Sequence, residues 1–146
     1  MIGPSILEVG VVEASGSYKV GDVLQVFVQY NEAVTVLGTS QITLETGTTD
    51  RVIDYDNTSS STVYFNYTVQ AGDSNSDLDV VGANSLSLNG GSIKDAAGND
   101  ADIVLPFGPS TGGSISNGKD IIIDGNVPIV TSVSVPSNAT YTAGQT

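Results

Sequence analysis

The sequence predicts an all-β protein, and three observations carry that expectation. Gly, Ser, Thr, Asn and Val dominate the 146 residues, while Lys, Arg and Met are scarce; this is a strand-and-turn composition rather than a helical one. Several stretches alternate apolar and polar side chains at period two, as half-buried strands do. Gly-, Asn- and Ser-rich turn signals separate them at short intervals, the pattern of an antiparallel sandwich or barrel.

Taken in order, Ile6 to Ala14 reads as a first strand. Asp22 to Tyr30 is the clearest: Leu24, Val26, Val28 and Tyr30 share one face, with Gln25, Phe27 and Gln29 on the other. Ile42 to Thr46 and Arg51 to Tyr55 follow, separated by the turn signal Gly47-Thr48-Thr49-Asp50. Thr62 to Val69 alternates again, putting Val63, Phe65, Tyr67 and Val69 on one side and Tyr64 on the other. Short apolar pieces complete the set at Leu78 to Val81, Leu86 to Leu88, Ile103 to Leu105 and Ile121 to Ile123. The single helical turn expected is Asp95 to Asn99, with Asp95 as cap and Gly98 or Asn99 left-handed.

The chain also repeats itself. Pro4-Ser5-Ile6-Leu7-Glu8-Val9 leads to Tyr18 and Gly21, and Pro128-Ile129-Val130-Thr131-Ser132-Val133 leads to Tyr141 and Gly144. The tyrosines and the glycines are each 123 positions apart, and the prolines 124. Residues 1–126 therefore read as one complete domain, and residues 127–146 as the first strand of a second copy.

Charge and composition exclude several functions. Sixteen acids against four bases give a net charge of −12, so nucleic-acid binding, which needs a basic footprint, is not expected. Cysteine, histidine and tryptophan are absent. That removes disulfides, thiol nucleophiles, imidazole bases and the usual zinc ligands, and a Ser-His-Asp triad with them. No enzyme activity is expected. No stretch approaches the ~20 apolar residues that span a bilayer, so no membrane insertion is expected. Nor does a basic segment or an apolar core follow Met1 as in a signal peptide; the native protein is expected to extend upstream.

The acids cluster instead. Asp73, Asn75, Asp77 and Asp79 place oxygen side chains at alternate positions. They imitate the first half of an EF-hand loop without its glycine and its terminal glutamate. Asp95, Asn99, Asp100 and Asp102 form a second group. Each has a plain alternative: the first as a solvated polar loop, the second as a capped turn. Clustered carboxylates and amides are what a hard cation such as Ca²⁺ takes as ligands, and Ca²⁺ is the cofactor these groups suggest.

The stretches YKVGDVLQVFVQYNEAVTV, FNYTVQAGDSNSDLDV, LSLNGGSIKDAAGNDADIVLP and IIIDGNVPIV resemble the bacterial immunoglobulin-like repeats of giant secreted adhesins, in the same order over most of residues 4–128. The resemblance implies an immunoglobulin-like Greek-key β-sandwich of seven or more strands. It implies an extracellular role at the bacterial cell surface, as a spacer whose partners are neighbouring repeats of the same chain. It also implies Ca²⁺ near the linker, where Asp120, Asp124 and Asn126 precede Pro128 and Glu32 is expected to reach across from the end of its strand. A different reading is an adhesive or carbohydrate-binding module, for which Phe27 and Tyr64 on the outer faces are the candidate aromatics. An accessory domain of a secreted enzyme is a third.

Overall fold

A computed structural model describes residues 3–126. The second copy of the first strand, expected over residues 127–146, lies outside the described residues. Eleven strands and one short helix follow in order: β1 Ile6–Val11, β2 Gly16–Lys19, β3 Val23–Tyr30, β4 Thr35–Leu37, β5 Gln41–Leu44, β6 Arg51–Ser59, β7 Thr62–Thr68, β8 Ser74–Asn75, β9 Leu86–Ser87, β10 Ser92–Lys94, α1 Ile115–Gly118 and β11 Ile121–Asp124.

The strands form an all-β sandwich. One face is an antiparallel six-stranded sheet in the order β1-β3-β7-β6-β5-β9; opposite it stands a three-stranded sheet, β2-β11-β8, with a small β10-β4 pair beside them. The period-two faces of β3 and β7 fill the centre. Leu24, Val26, Val28 and Tyr30 from β3, with Val63, Phe65 and Tyr67 from β7, are buried, because a pleated strand sends alternate side chains to one face. From the other layer Leu78, Ile121 and Ile123 close the core. Tyr55 meets Phe65 edge-on, with ring centroids 6.4 Å apart. No helix among the described residues is long and apolar enough to cross a membrane.

The structure departs from the expected elements in informative ways. The strand expected over Ile6 to Ala14 ends at Val11, and a strand that was not expected, β2, begins at Gly16. β1 pairs with β3, and the chain then switches layers so that β2 pairs with β11 in parallel, the one parallel pairing among the described strands of a fold expected to be antiparallel. Lys119 holds this crossover by donating to the carbonyls of Val11, Val12 and Glu13 at 2.8, 3.2 and 2.7 Å. Asp95 to Asn99 is a tight turn after β10, not a helical one, with Gly98 at φ +87°. Leu78 to Val81 makes only an isolated bridge, Val80 to Leu44, and Ile103 to Leu105 is not a strand. Strands β2, β4 and β10 and helix α1 are too short to show a period.

Strand direction separates the two ends of the chain. The chain enters the fold at Pro4, just before β1, whose first residue Ile6 stands opposite Tyr30 at the last residue of β3. It leaves after β11, whose end lies beside the Gln70–Asp73 turn, reached from Thr68, the partner of Val23 at the first residue of β3. Entrance and exit therefore sit at opposite ends of the sandwich, here the proximal and distal ends. They are separated by about the ~26 Å of an eight-residue strand.

Candidate cation-binding cleft

The loop from Gly72 to Val80 carries the first acidic cluster, and its local chemistry divides the cluster's members. Gly72 turns the chain at φ +92°. β8 then adds to β11, pairing Asn75 with Ile123 and Ser74 with Asp124. The Asn75 Oδ1 accepts from the Asp77 amide at 2.9 Å, an Asx turn that drives Leu78 into the core. Of the alternating residues, Asn75, Asp77 and Asp79 line one cleft, whereas Asp73 turns away from it toward Arg51.

Asp73 is committed elsewhere. Its carboxylate is 1% exposed and ion-paired to the Arg51 Nε at 2.7 Å. Its other oxygen accepts from the Tyr67 hydroxyl at 2.7 Å and the Gln70 amide at 3.0 Å. Asp79 is also buried and satisfied: Oδ1 accepts from the Val80 amide, and Oδ2 from the Gly108 amide at 2.9 Å and the Ser116 hydroxyl at 2.6 Å.

Asp77 differs. Its Oδ1 is buried and makes no hydrogen bond, an arrangement that costs free energy unless something else satisfies the oxygen. Burial foremost, then the charges of Asp120 and Asp79, push its carboxyl above the ordinary value of 3.8. Asp77 lines a cleft of about 260 Å³ together with Glu45, Asn75, Asp79 and Phe107. A hard cation there would meet the orphaned oxygen of Asp77 and relieve its repulsion with Asp120 and Asp79. Glu45 was missed by sequence reasoning, because it comes from the end of β5, some thirty positions away from the cluster. No group of three or more acids among the described residues is gathered closely enough to hold a metal by itself. Backbone carbonyls and water would therefore complete any such site.

The second cluster serves its own turn. Asp95 Oδ1 accepts from the Ala97 and Asn99 amides at 3.0 and 2.8 Å, and Oδ2 from the Asn99 side chain at 3.0 Å. The Asn99 side-chain and backbone bonds, in that order, hold the Asp95 carboxyl below the ordinary range. Asp100 pairs with Lys94, and Asp102 accepts from the Val104 amide at 3.0 Å. The Asp95 bonds cap the turn, while Asp100 and Asp102 are held beside it by Lys94 and the Val104 amide.

The linker acids do not converge with Glu32. Asp124 accepts from the Asn126 amide at 3.1 Å at the distal end. Glu32 follows Asn31, whose amide bonds to Ser5 at the proximal end. Within one domain, Glu32 and the linker acids therefore lie at opposite ends of β3. Asp120 is exposed on the flank, joined through its amide to the Ser15 hydroxyl at 3.1 Å.

Phe27 and Tyr64 do lie on the outer face, as expected. They are directly opposed partners on β3 and β7 and are half-buried, lining a groove of about 380 Å³ with Glu8, Gln29 and Thr62. Comparison with known proteins finds no matching family model, no similar curated protein and no similar solved structure.

Proposed function

We propose that this domain is a structural spacer, strung end to end with copies of itself in an extracellular bacterial adhesin and stabilised by Ca²⁺. The observation that carries this reading is the placement of entrance and exit at opposite ends of the sandwich. A domain so threaded adds its full length to a chain of copies, whereas one with both termini at the same end would fold back. The internal repeat at 123 positions and the resemblance to adhesin repeats support the same reading. Neither an imidazole nor a thiol is present to supply catalysis.

A polypeptide carrying two copies of residues 4–126 joined by the native linker tests it. Small-angle scattering should give a maximum dimension about twice that of one copy; a compact, side-by-side pair would overturn the spacer reading.

Calcium acts within the domain, at the Asp77 cleft on the flank, and so tightens the fold more than the linker. Extracellular modules bind calcium at about 10⁻⁴–10⁻³ M. Occupancy at 100 times the dissociation constant stabilises by ~2.7 kcal/mol.

A second reading, glycan binding, rests on the opposed Phe27 and Tyr64, since paired aromatics flanked by amide, hydroxyl and carboxylate groups suit a sugar ring. Tyr64→Ala should abolish glycan capture if that groove is the site and leave thermal stability little changed.

A further inference from the structure

We propose that the two ends of the sandwich are closed by matched latches, each a buried tyrosine bonded to a loop that in turn holds the entering or leaving strand, and that these latches fix the directions in which the chain enters and leaves. The inference deepens the spacer reading and rests on it for its purpose, though not for its geometry.

At the proximal end the Tyr30 hydroxyl donates to the Asp102 carbonyl at 2.9 Å. The Asp102 amide donates to the Pro4 carbonyl at 2.8 Å. The incoming chain is thereby tied, through one residue of a loop almost a hundred positions away, to the last residue of β3. Gly3 lies so close to this loop that a Cβ would fall 1.9 Å from the Asp100 carbonyl oxygen.

At the distal end the Tyr67 hydroxyl donates to the Asp73 carboxylate at 2.7 Å, and Arg51 closes the other side of that carboxylate. The Asp73 carbonyl accepts from the Gly125 amide at 2.6 Å, and the Gly125 carbonyl accepts from Gly72 at 3.0 Å. Gly125 is seated against backbone alone. A Cβ there would stand 2.4–2.5 Å from the Asp73 and Gln70 main chain, atoms that cannot swing aside. The outgoing chain is held through Gly125.

The two latches share their logic. Each tyrosine closes an inward-facing row of its strand, so its ring is anchored in the core while its hydroxyl reaches the rim. Burial pushes both phenols above the ordinary tyrosine value. Each passes load from a terminus into the six-stranded sheet, through β3 in one case and through β6 and β7 in the other.

Amide hydrogen exchange on the intact chain tests this, because local opening is read residue by residue. Tyr67→Phe removes one hydroxyl and leaves the core ring in place. Protection at the Gly125 and Gly72 amides should fall at least ~10-fold, the loss expected for one hydrogen bond to a charged group, relative to Val26 and Phe65 in the central ladder. Asp102 should be unchanged. Tyr30→Phe should do the reverse, exposing Asp102 and sparing Gly125. A uniform fall at all these amides, or no change at Gly125, would overturn the proposal. So would free exchange of Gly125 in the unaltered protein, which needs no variant. The scattering experiment on two copies is separate: a compact pair would remove the spacer reading while leaving the exchange result standing, and unlatched ends in an elongated pair would do the opposite.

Discussion

Asp73 and Asp77 stand four positions apart and have opposite energetics. Asp73 is buried with a guanidinium and two neutral donors. Removing one partner of a buried ion pair costs about 3–5 kcal/mol, because the other charge is left without compensation. Arg51 retains about a quarter of its side-chain exposure, so Arg51→Met is expected at the lower end, roughly 3 kcal/mol, read as a fall in the urea midpoint. A loss under ~1 kcal/mol would mean that Tyr67 and Gln70 suffice for the carboxylate. Asp77 pulls the other way. Its folded-state pKa is raised, so its ionised form costs stability at neutral pH, and that cost disappears as pH falls through the raised value. In chelator at pH 7, Asp77→Asn should raise Tm by a few degrees, about what ~1 kcal/mol gives in a domain of this size. Below the ordinary value of 3.8 the advantage should vanish. Unaltered protein should show a calcium-specific rise in Tm that magnesium does not reproduce, and Asp77→Asn should lose it. An undiminished rise in the variant would move the cation elsewhere.

Among the elements, the loop between β8 and β9 does a strand's work without being one. Leu78 and Val80 are buried, and the loop is held to both layers: the Leu78 amide donates to Ile121 at 2.8 Å, and the Asp79 carbonyl accepts from Glu45 at 3.0 Å. Leu78 thus plugs the gap between β5 and β11. Leu78→Ala should cost roughly 3 kcal/mol, as a well-packed leucine with little room to collapse does. A calorimetric loss under ~1 kcal/mol would show that the two layers close without it. Helix α1 also depends on its context: Ser114 caps it by accepting from the Asn117 amide at 3.1 Å, and Ile115 anchors it in the core. Four residues cannot form a helix on local propensity alone.

For the whole molecule, β3 acts as the axis. It pairs with β1 on one edge and β7 on the other, begins near the distal turn and ends at the Tyr30 latch. In the proposed array, a net charge of −12 would oppose lateral association of the copies. The two-copy scattering measurement belongs at this scale, and its expected elongation should persist in chelator, because the latches at Tyr30 and Tyr67 are built from protein groups alone.

The sequence by itself determined the all-β class, the inner faces of β3 and β7, and the turns at Gly47 and Gly98, because period-two burial and left-handed glycine are local properties that every strand and turn must obey. It also located the acidic loop around Asp77. It did not show β2 or the switch of layers before it, since Gly16 to Lys19 are too few to carry a period and the switch is imposed by pairing with β11. Nor could spacing distinguish a structural acid from one available to a cation. Asp73 is settled by Arg51, 22 positions back, Asp79 by Ser116, 37 positions on, and Asp77 by the absence of any such partner for its buried oxygen. Whether a carboxylate is satisfied depends on which donors the fold brings to it and how much water it excludes, and both are set by long-range packing that only the tertiary structure decides.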